Sequence, residues 1–263
     1  MNRKLLFAVN FSAIAVIAAV TLWLCVMPKA QASAGSGDAA RAEPADSVAE
    51  NPAEPALPAQ ESVSGARVDT AWLDTTSAST GIPVRALQAY AAATARVKRE
   101  QPECGLAWNT LAALGLIESD HARDRLTAKG DAVPKIIGPV LNGNGFAAIP
   151  DSDGGAFDGD DRWDRAVGPL QFIPQTWRSY GRDGNGDGVA DPLNIDDAAL
   201  SAAGYLCTAA AETGSSGLRS AAGWSHAILA YNQSSAYLKD IFDAAQRYAA
   251  QTQPAVITQQ GAP

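Results

Sequence analysis

Histidine, cysteine and basic charge are all scarce in this chain, and each shortage removes a class of function. Among its 263 residues there are two histidines and three cysteines. Neither His121 nor His226 has a partner at metal-ligand spacing, and the cysteines fit no zinc pattern, so both histidines are expected to be structural. Lysine and arginine number 20 against 28 aspartates and glutamates, a formal charge of −8. Such a chain has no basic footprint for nucleic acid or an anionic membrane. Nor can bulk attraction hold it to an anionic polymer, so hydrogen bonds and stacking in a groove would have to do so. Alternating apolar and polar residues, the mark of a half-buried strand, are nearly absent outside short pieces near Ile136 and Phe146. What remains is a mainly α fold.

The N-terminal quarter does not read as globular. Arg3 and Lys4 precede an apolar run from Leu5 to Met27, broken only by Asn10, Ser12 and Thr21, and Ala30-Gln31-Ala32 then offers small residues to a signal peptidase. Residues 1–32 are therefore expected to be an export signal cut after Ala32 or, uncleaved, a membrane anchor through residues 5–27, since about 20 apolar residues span a bilayer. Bulky Trp23 and Leu24 before Cys25 argue against a lipoprotein site. Residues 33–66 are rich in Ala, Pro and Glu and lack aromatics, so they bury too little surface to offset their ordering entropy and read as a disordered linker. The folded unit is placed at 67–250, with a disordered polar tail at 251–263. Export leaves Cys104 and Cys207 as the pair in an oxidising compartment, where a single disulfide is the simplest outcome and two buried free thiols the alternative.

Within the folded unit, Thr80-Gly81-Ile82-Pro83 is a helix start, followed by helical spacing to Pro102. A second helix is predicted from about Leu106 to Ser119, and shorter ones at Pro174–Tyr180, Ile195–Glu212, Ser220–Ala230 and Ser234–Ala250. Between them, Asp124 to Asp164 is a long Gly/Asp/Asn/Pro excursion whose acidic part, Asp151–Asp164, is read by default as a solvated lid, with a cleft rim or a second cation site as alternatives.

Three segments carry chemistry. Glu118 ends a long apolar stretch, with Leu114 and Gly115 where a surface glutamate would have polar neighbours. Desolvation there should raise its pKa, as a general acid near neutral pH requires. No second acid has a comparable apolar setting, and Asp120 and Asp124 read as a solvated helix end. Gln171 lies between Leu170 and Phe172 in Gly168–Trp177, where its amide needs a partner: a sugar group or, equally, a backbone group that it caps. In Tyr231–Tyr237, Asn232 and Ser234 suit a turn, and the two tyrosines suit either a core or a binding wall.

Read together, Glu118-Ser119, Gly168-Pro169-Leu170-Gln171-Phe172-Ile173-Pro174 and Tyr231-Asn232 with Tyr237 resemble the soluble lytic transglycosylase family, lysozyme-like enzymes of the bacterial cell wall, and most nearly the membrane-bound lytic transglycosylase B type. The resemblance spans about residues 80–248. It implies a lysozyme-like catalytic domain at 67–250 that cleaves the β-1,4 bond between N-acetylmuramic acid and N-acetylglucosamine, leaving a 1,6-anhydromuramic product. By the same resemblance Glu118 is the sole acid/base, while Ser119, Gln171, Tyr231, Asn232 and Tyr237 line the groove. The expected partner is a peptidoglycan glycan strand, met by an exported monomer that needs no organic cofactor. A water-using muramidase on the same scaffold, and an inactive calcium-stabilised wall-binding module, are the alternatives.

Asp183-Gly184-Asn185-Gly186-Asp187-Gly188-Val189 has oxygen ligands at alternate positions followed by glycine, the front half of an EF-hand loop. Position twelve is Asn194 rather than the usual glutamate. The B-type resemblance implies a lengthened loop closed by Asp197. Calcium is then expected on Asp183, Asn185, Asp187, the Val189 carbonyl and Asp197, in a structural role; an Asp/Gly turn without metal is the alternative.

Overall fold

The computed structural model describes residues 68–252. Residues 1–32, read as an export signal or anchor, residues 33–66, read as a linker, and the tail beyond Thr252 lie outside the described residues. Seven α-helices account for most of what is described: α1 (Thr70–Thr80), α2 (Val84–Glu100), α3 (Trp108–Ser119), α4 (Pro174–Tyr180), α5 (Ile195–Ala211), α6 (Ala221–Tyr231) and α7 (Ser235–Thr252). The fold is mainly α, as expected. No described helix is long and apolar enough to cross a membrane.

α3 is the centre of the core. Every residue from Trp108 to Gly115 is buried, so this helix is apolar all round rather than striped. α2 and α7 pack against it, and α5 packs on α2 and α6. Leu111 and Leu114 are wholly inaccessible to solvent, and burial of each contributes about 1.5–3 kcal/mol. Small residues, Ala198, Ala199, Ala202 and Ala203 on α5 with Ala86, Ala89 and Ala93 on α2, fill the core between these helices. Cys104, in the loop before α3, is joined to Cys207 on α5, giving the expected disulfide.

Three differences from the sequence reading have identifiable causes. α1 was not expected, because its four threonines and weak apolar period carry little helical signal. Packing stabilises it instead: Trp72 sits edge-on to Trp108 at 5.5 Å, Leu73 is buried, and Asp69 Oδ1 accepts from the Trp72 amide. The short piece near Ile136 is strand β1 (Ile137–Val140), which pairs antiparallel with β2 (Arg165–Val167) with a shift in register between Ile137 and Val140, whereas the piece near Phe146 is not a strand. Phe146 directly follows the turn at Asn142–Gly145 and packs on Leu141, Ala166 and Ile173. Finally, α7 runs to Thr252, two residues into the segment read as a tail.

Candidate active site

The C-terminal end of α3 delivers Glu118 to the meeting point of the Gly168–Ile173 loop and the α6–α7 junction. The carboxyl is partly buried, and Tyr237 Oη, from the first turn of α7, donates to Glu118 Oε1 at 2.5 Å. Burial pushes the Glu118 pKa up to about 7, and the Tyr237 bond, which favours the charged form, opposes only part of that rise. Among the described residues, no acidic side chain contributes to the shift. Burial, and next the negative charge on Glu118, raise the hydroxyls of Tyr231 and Tyr237 well above their ordinary range, so both stay neutral donors.

Three residues read from sequence as groove-lining each hydrogen-bond one of three successive backbone carbonyls. Gln171 Nε2 donates to Gly168 O at 2.8 Å, Ser119 Oγ to Pro169 O at 2.6 Å, and Tyr231 Oη to Leu170 O at 2.7 Å. The Gly168–Leu170 strip thus locks α3, α6 and its own loop together: Ser119 and Tyr231 spend their single hydroxyl proton on it, while the Gln171 amide keeps a second N–H. Gly168 cannot be replaced, because at φ 79° its added Cβ would lie 1.7 Å from Pro192 O. Asn232 is buried at the end of α6, where Oδ1 accepts from the Ser234 amide at 3.2 Å, a turn-forming role. Tyr231 is braced edge-on by Phe172 and Tyr205, with ring centroids 5.8 and 5.5 Å away. For Gln171 the backbone cap, one of the two partners the sequence left open, is the one formed; the sequence reading missed that Ser119 and Tyr231 bond the next two carbonyls, because a backbone oxygen leaves no signal in residue identity.

Directly after Ser119 the chain makes a left-handed turn without glycine: Asp120, His121, Ala122 and Arg123 have φ of 54°, 58°, 58° and 44°. Such residues cost roughly 1–2 kcal/mol each, so surrounding contacts must hold them. Asp120 pairs with Arg123, and the amides of Asp120 and His121 bond back to Leu116 O and Gly115 O. The Ala122 amide donates to Ser119 Oγ at 3.0 Å. Inside the protein, His121 Nδ1 lies 3.2 Å from Tyr90 Oη on α2, and Nε2 lies 2.9 Å from Tyr248 Oη on α7. Burial drops the His121 pKa to about 4, so the ring is neutral at ordinary pH. His226, by contrast, is exposed beside Glu212.

The loop from Asp183 to Asp197 contains only oxygen donors at the positions read as calcium ligands, a set that suits a hard cation. Asp183 Oδ1 and Oδ2 accept from the amides of Gly186 and Gly188, Asn185 Oδ1 from Asp187, and Asp187 Oδ1 from Val189. Asp197, fully buried in the first turn of α5, accepts from the amides of Gly184, Asn185 and Asp191. These bonds orient every carboxylate while leaving lone pairs available. Asn194, at position twelve, is turned elsewhere: it caps α5 and donates to Lys129 O and Asp131 Oδ1. Among the described residues, the trio of acidic side chains whose oxygens all lie within 4.8 Å is Asp151, Asp153 and Asp164, not Asp183, Asp187 and Asp197.

The acidic loop is not simply a solvated lid. Asp164 is completely buried, taking Ser152 N and Ser152 Oγ on its two oxygens. Asp151, Asp153, Asp158 and Asp160 cap the amides of their own loop. The charges therefore hold the loop in shape.

Residues 162–222 match the family model described as "Transglycosylase SLT domain". The matched stretch covers β2, the Gly168–Trp177 string, α4, the Asp183–Asp197 loop, α5 and the first residues of α6; Glu118, Tyr231 and Tyr237 lie outside it. No curated protein matches the chain by sequence. Among solved structures, the chain is similar to SltB3 from Pseudomonas aeruginosa in complex with NAG-anhNAM-pentapeptide, at 17% identity over 69% of this chain and 68% of that one, with a TM-score of 0.35. It is also similar to the Escherichia coli lytic transglycosylase Slt35 in complex with bulgecin A, at 14% identity over 69% of this chain and 79% of that one, with a TM-score of 0.38.

Proposed function

We propose that this chain, which carries a transglycosylase SLT domain signature in residues 162–222, is an exported peptidoglycan lytic transglycosylase in which Glu118 alone serves as acid and then as base. The observation that carries the reading is a carboxyl group lifted to about 7 by burial, hydrogen-bonded by Tyr237 and without an acidic partner among the causes of its shift. Most glycosidases need two carboxylates, one to protonate the leaving oxygen and one to attack or to activate water. A lone acid suits a reaction whose nucleophile belongs to the substrate.

In this mechanism protonated Glu118 gives its proton to the glycosidic oxygen as the C1–O bond breaks and positive charge develops on the muramic ring. The resulting carboxylate then takes the proton of the muramic C6 hydroxyl, whose oxygen bonds to C1 and closes the 1,6-anhydro ring. The attack is intramolecular and gains effective molarity, so no activated water is required. Tyr237 stabilises the carboxylate stage, and a pKa near 7 lets one group fill both roles.

The test is mass spectrometry of purified peptidoglycan digested by the protein. Released muropeptides should be lighter by one water than hydrolytic products and lack a reducing end. Reducing-end products would replace this reading with a muramidase, and glycan binding without cleavage would replace it with a wall-binding module.

The donor chemistry of Asp183, Asn185, Asp187, the Val189 carbonyl and Asp197 supports calcium as a structural ion that would tie the loop to α5. Saturating calcium should then raise Tm by about 5 °C, as expected for a ligand well above its Kd. Asp187→Asn should lose most of that gain. An unchanged Tm in the wild type, or an equal gain in the variant, would remove calcium from this loop.

A further inference from the structure

The left-handed turn after Ser119 is held mainly from inside, and its internal anchor reaches two helices. His121 meets Tyr90 on α2 through Nδ1 and Tyr248 on α7 through Nε2, and the residue is 3% exposed. A neutral imidazole has one N–H and one lone pair, so one tyrosine hydroxyl accepts from it and the other donates to it. The chain leaves no slack at this point. A Cβ on Gly115, one turn before Glu118, would lie 1.9 Å from Tyr90 Oη and 3.2 Å from His121 Nδ1. α7 also supplies Tyr237, whose hydroxyl holds Glu118, and it is fastened to the start of α3 by Asn109 Nδ2 donating to Ala245 O. The same helix thus grips both ends of the segment that presents the acid.

From this geometry we propose that His121 is a positioning residue for Glu118: by bridging Tyr90 and Tyr248 it fixes the turn after α3 and the register of α7, and so sets the carboxyl against Tyr237. The proposal rests on the reading of Glu118 as acid/base. It gives a task to a histidine that the sequence presented as an ordinary core residue. It also accounts for four successive non-glycine residues being held at positive φ beside the candidate acid. The groups facing His121 are Tyr90, Tyr248, Asp120 and Arg247; those facing Glu118 are Tyr237 and Tyr231.

His121→Phe, of similar bulk, removes both hydrogen bonds, while Tyr248→Phe and Tyr90→Phe each remove one hydroxyl and keep the fold if the histidine variant does not. In variants shown to be folded by circular dichroism and thermal melting, kcat on peptidoglycan should fall about tenfold or more for His121→Phe, with KM within about twofold, because a misplaced acid loses reaction geometry rather than glycan binding. The alkaline limb of the pH profile should also move to lower pH: a looser turn admits water to Glu118 and lessens its desolvation, the largest cause of its raised pKa, which outweighs the opposite effect of a weakened Tyr237 bond. His121→Gln, which can restore one of the two bonds, should recover part of the rate. A purely structural role would lower the melting temperature with the limb unmoved. Folded variants with unchanged kcat and an unmoved limb, alongside an inactive Glu118→Gln, overturn the positioning role alone. Full activity in Glu118→Gln overturns the acid/base reading itself, and the positioning role with it.

Discussion

Glu118→Gln is expected to release muropeptides at least about a hundredfold more slowly than the wild type, the usual worth of a positioned general acid. Glutamine keeps the shape and an oxygen for Tyr237 to donate to, so the fold should survive and the loss should appear in kcat. The wild type should also lose activity as pH rises through about 7. The first step needs the protonated carboxyl, and burial holds that proton up to about this pH. Tyr237→Phe removes the one bond favouring the carboxylate, so its alkaline limb should lie at higher pH, opposite to the shift expected for His121→Phe. Rates measured from pH 4 to 9 (roughly the range in which a carboxyl perturbed this far titrates) decide the matter. A glutamine variant that digests peptidoglycan normally, or a wild-type profile flat through 7, would remove Glu118 from the chemistry.

The second large effect concerns stability. Cys104 and Cys207 are 103 residues apart, and a cross-link closing a loop of that length is worth about 4–5 kcal/mol in the chain-entropy model. The double variant Cys104→Ala/Cys207→Ala should therefore melt on the order of 10 °C lower than the oxidised protein, and the reduced wild type should fall by a similar amount. The bond joins the α2–α3 loop to α5, and Cys104 O accepts the Leu218 amide beside it, so loosening should spread to the turn before α6. Calorimetry with and without reductant measures it. A drop of only a degree or two would mean that the helices already confine this loop without the cross-link.

The helices were largely legible because their signals are local. Pro174 opens α4, Pro102 follows α2, and apolar spacing marks α2 and α7. The disulfide followed from the same kind of economy, two cysteines left in the folded unit once Cys25 was read as part of an export segment. α1 was not legible, because Trp72 and Leu73 find their partners on other helices. The left-handed turn at 120–123 was not legible either, since no glycine announces it.

At the site the division is equally clear. The sequence by itself determined that one glutamate, Glu118, stands in apolar company, and that oxygen-bearing side chains alternate from Asp183 to Asp187, because both are matters of residue type and near spacing. Only the tertiary structure decided that Tyr237, 119 residues away, donates to that glutamate. Only it could commit Ser119, Gln171 and Tyr231 to three consecutive carbonyls, or hold His121 between two tyrosines. Periodicity and punctuation act over a few residues. Desolvation and hydrogen-bond satisfaction depend on what the rest of the chain brings within about 3 Å, and that is set by how the helices pack.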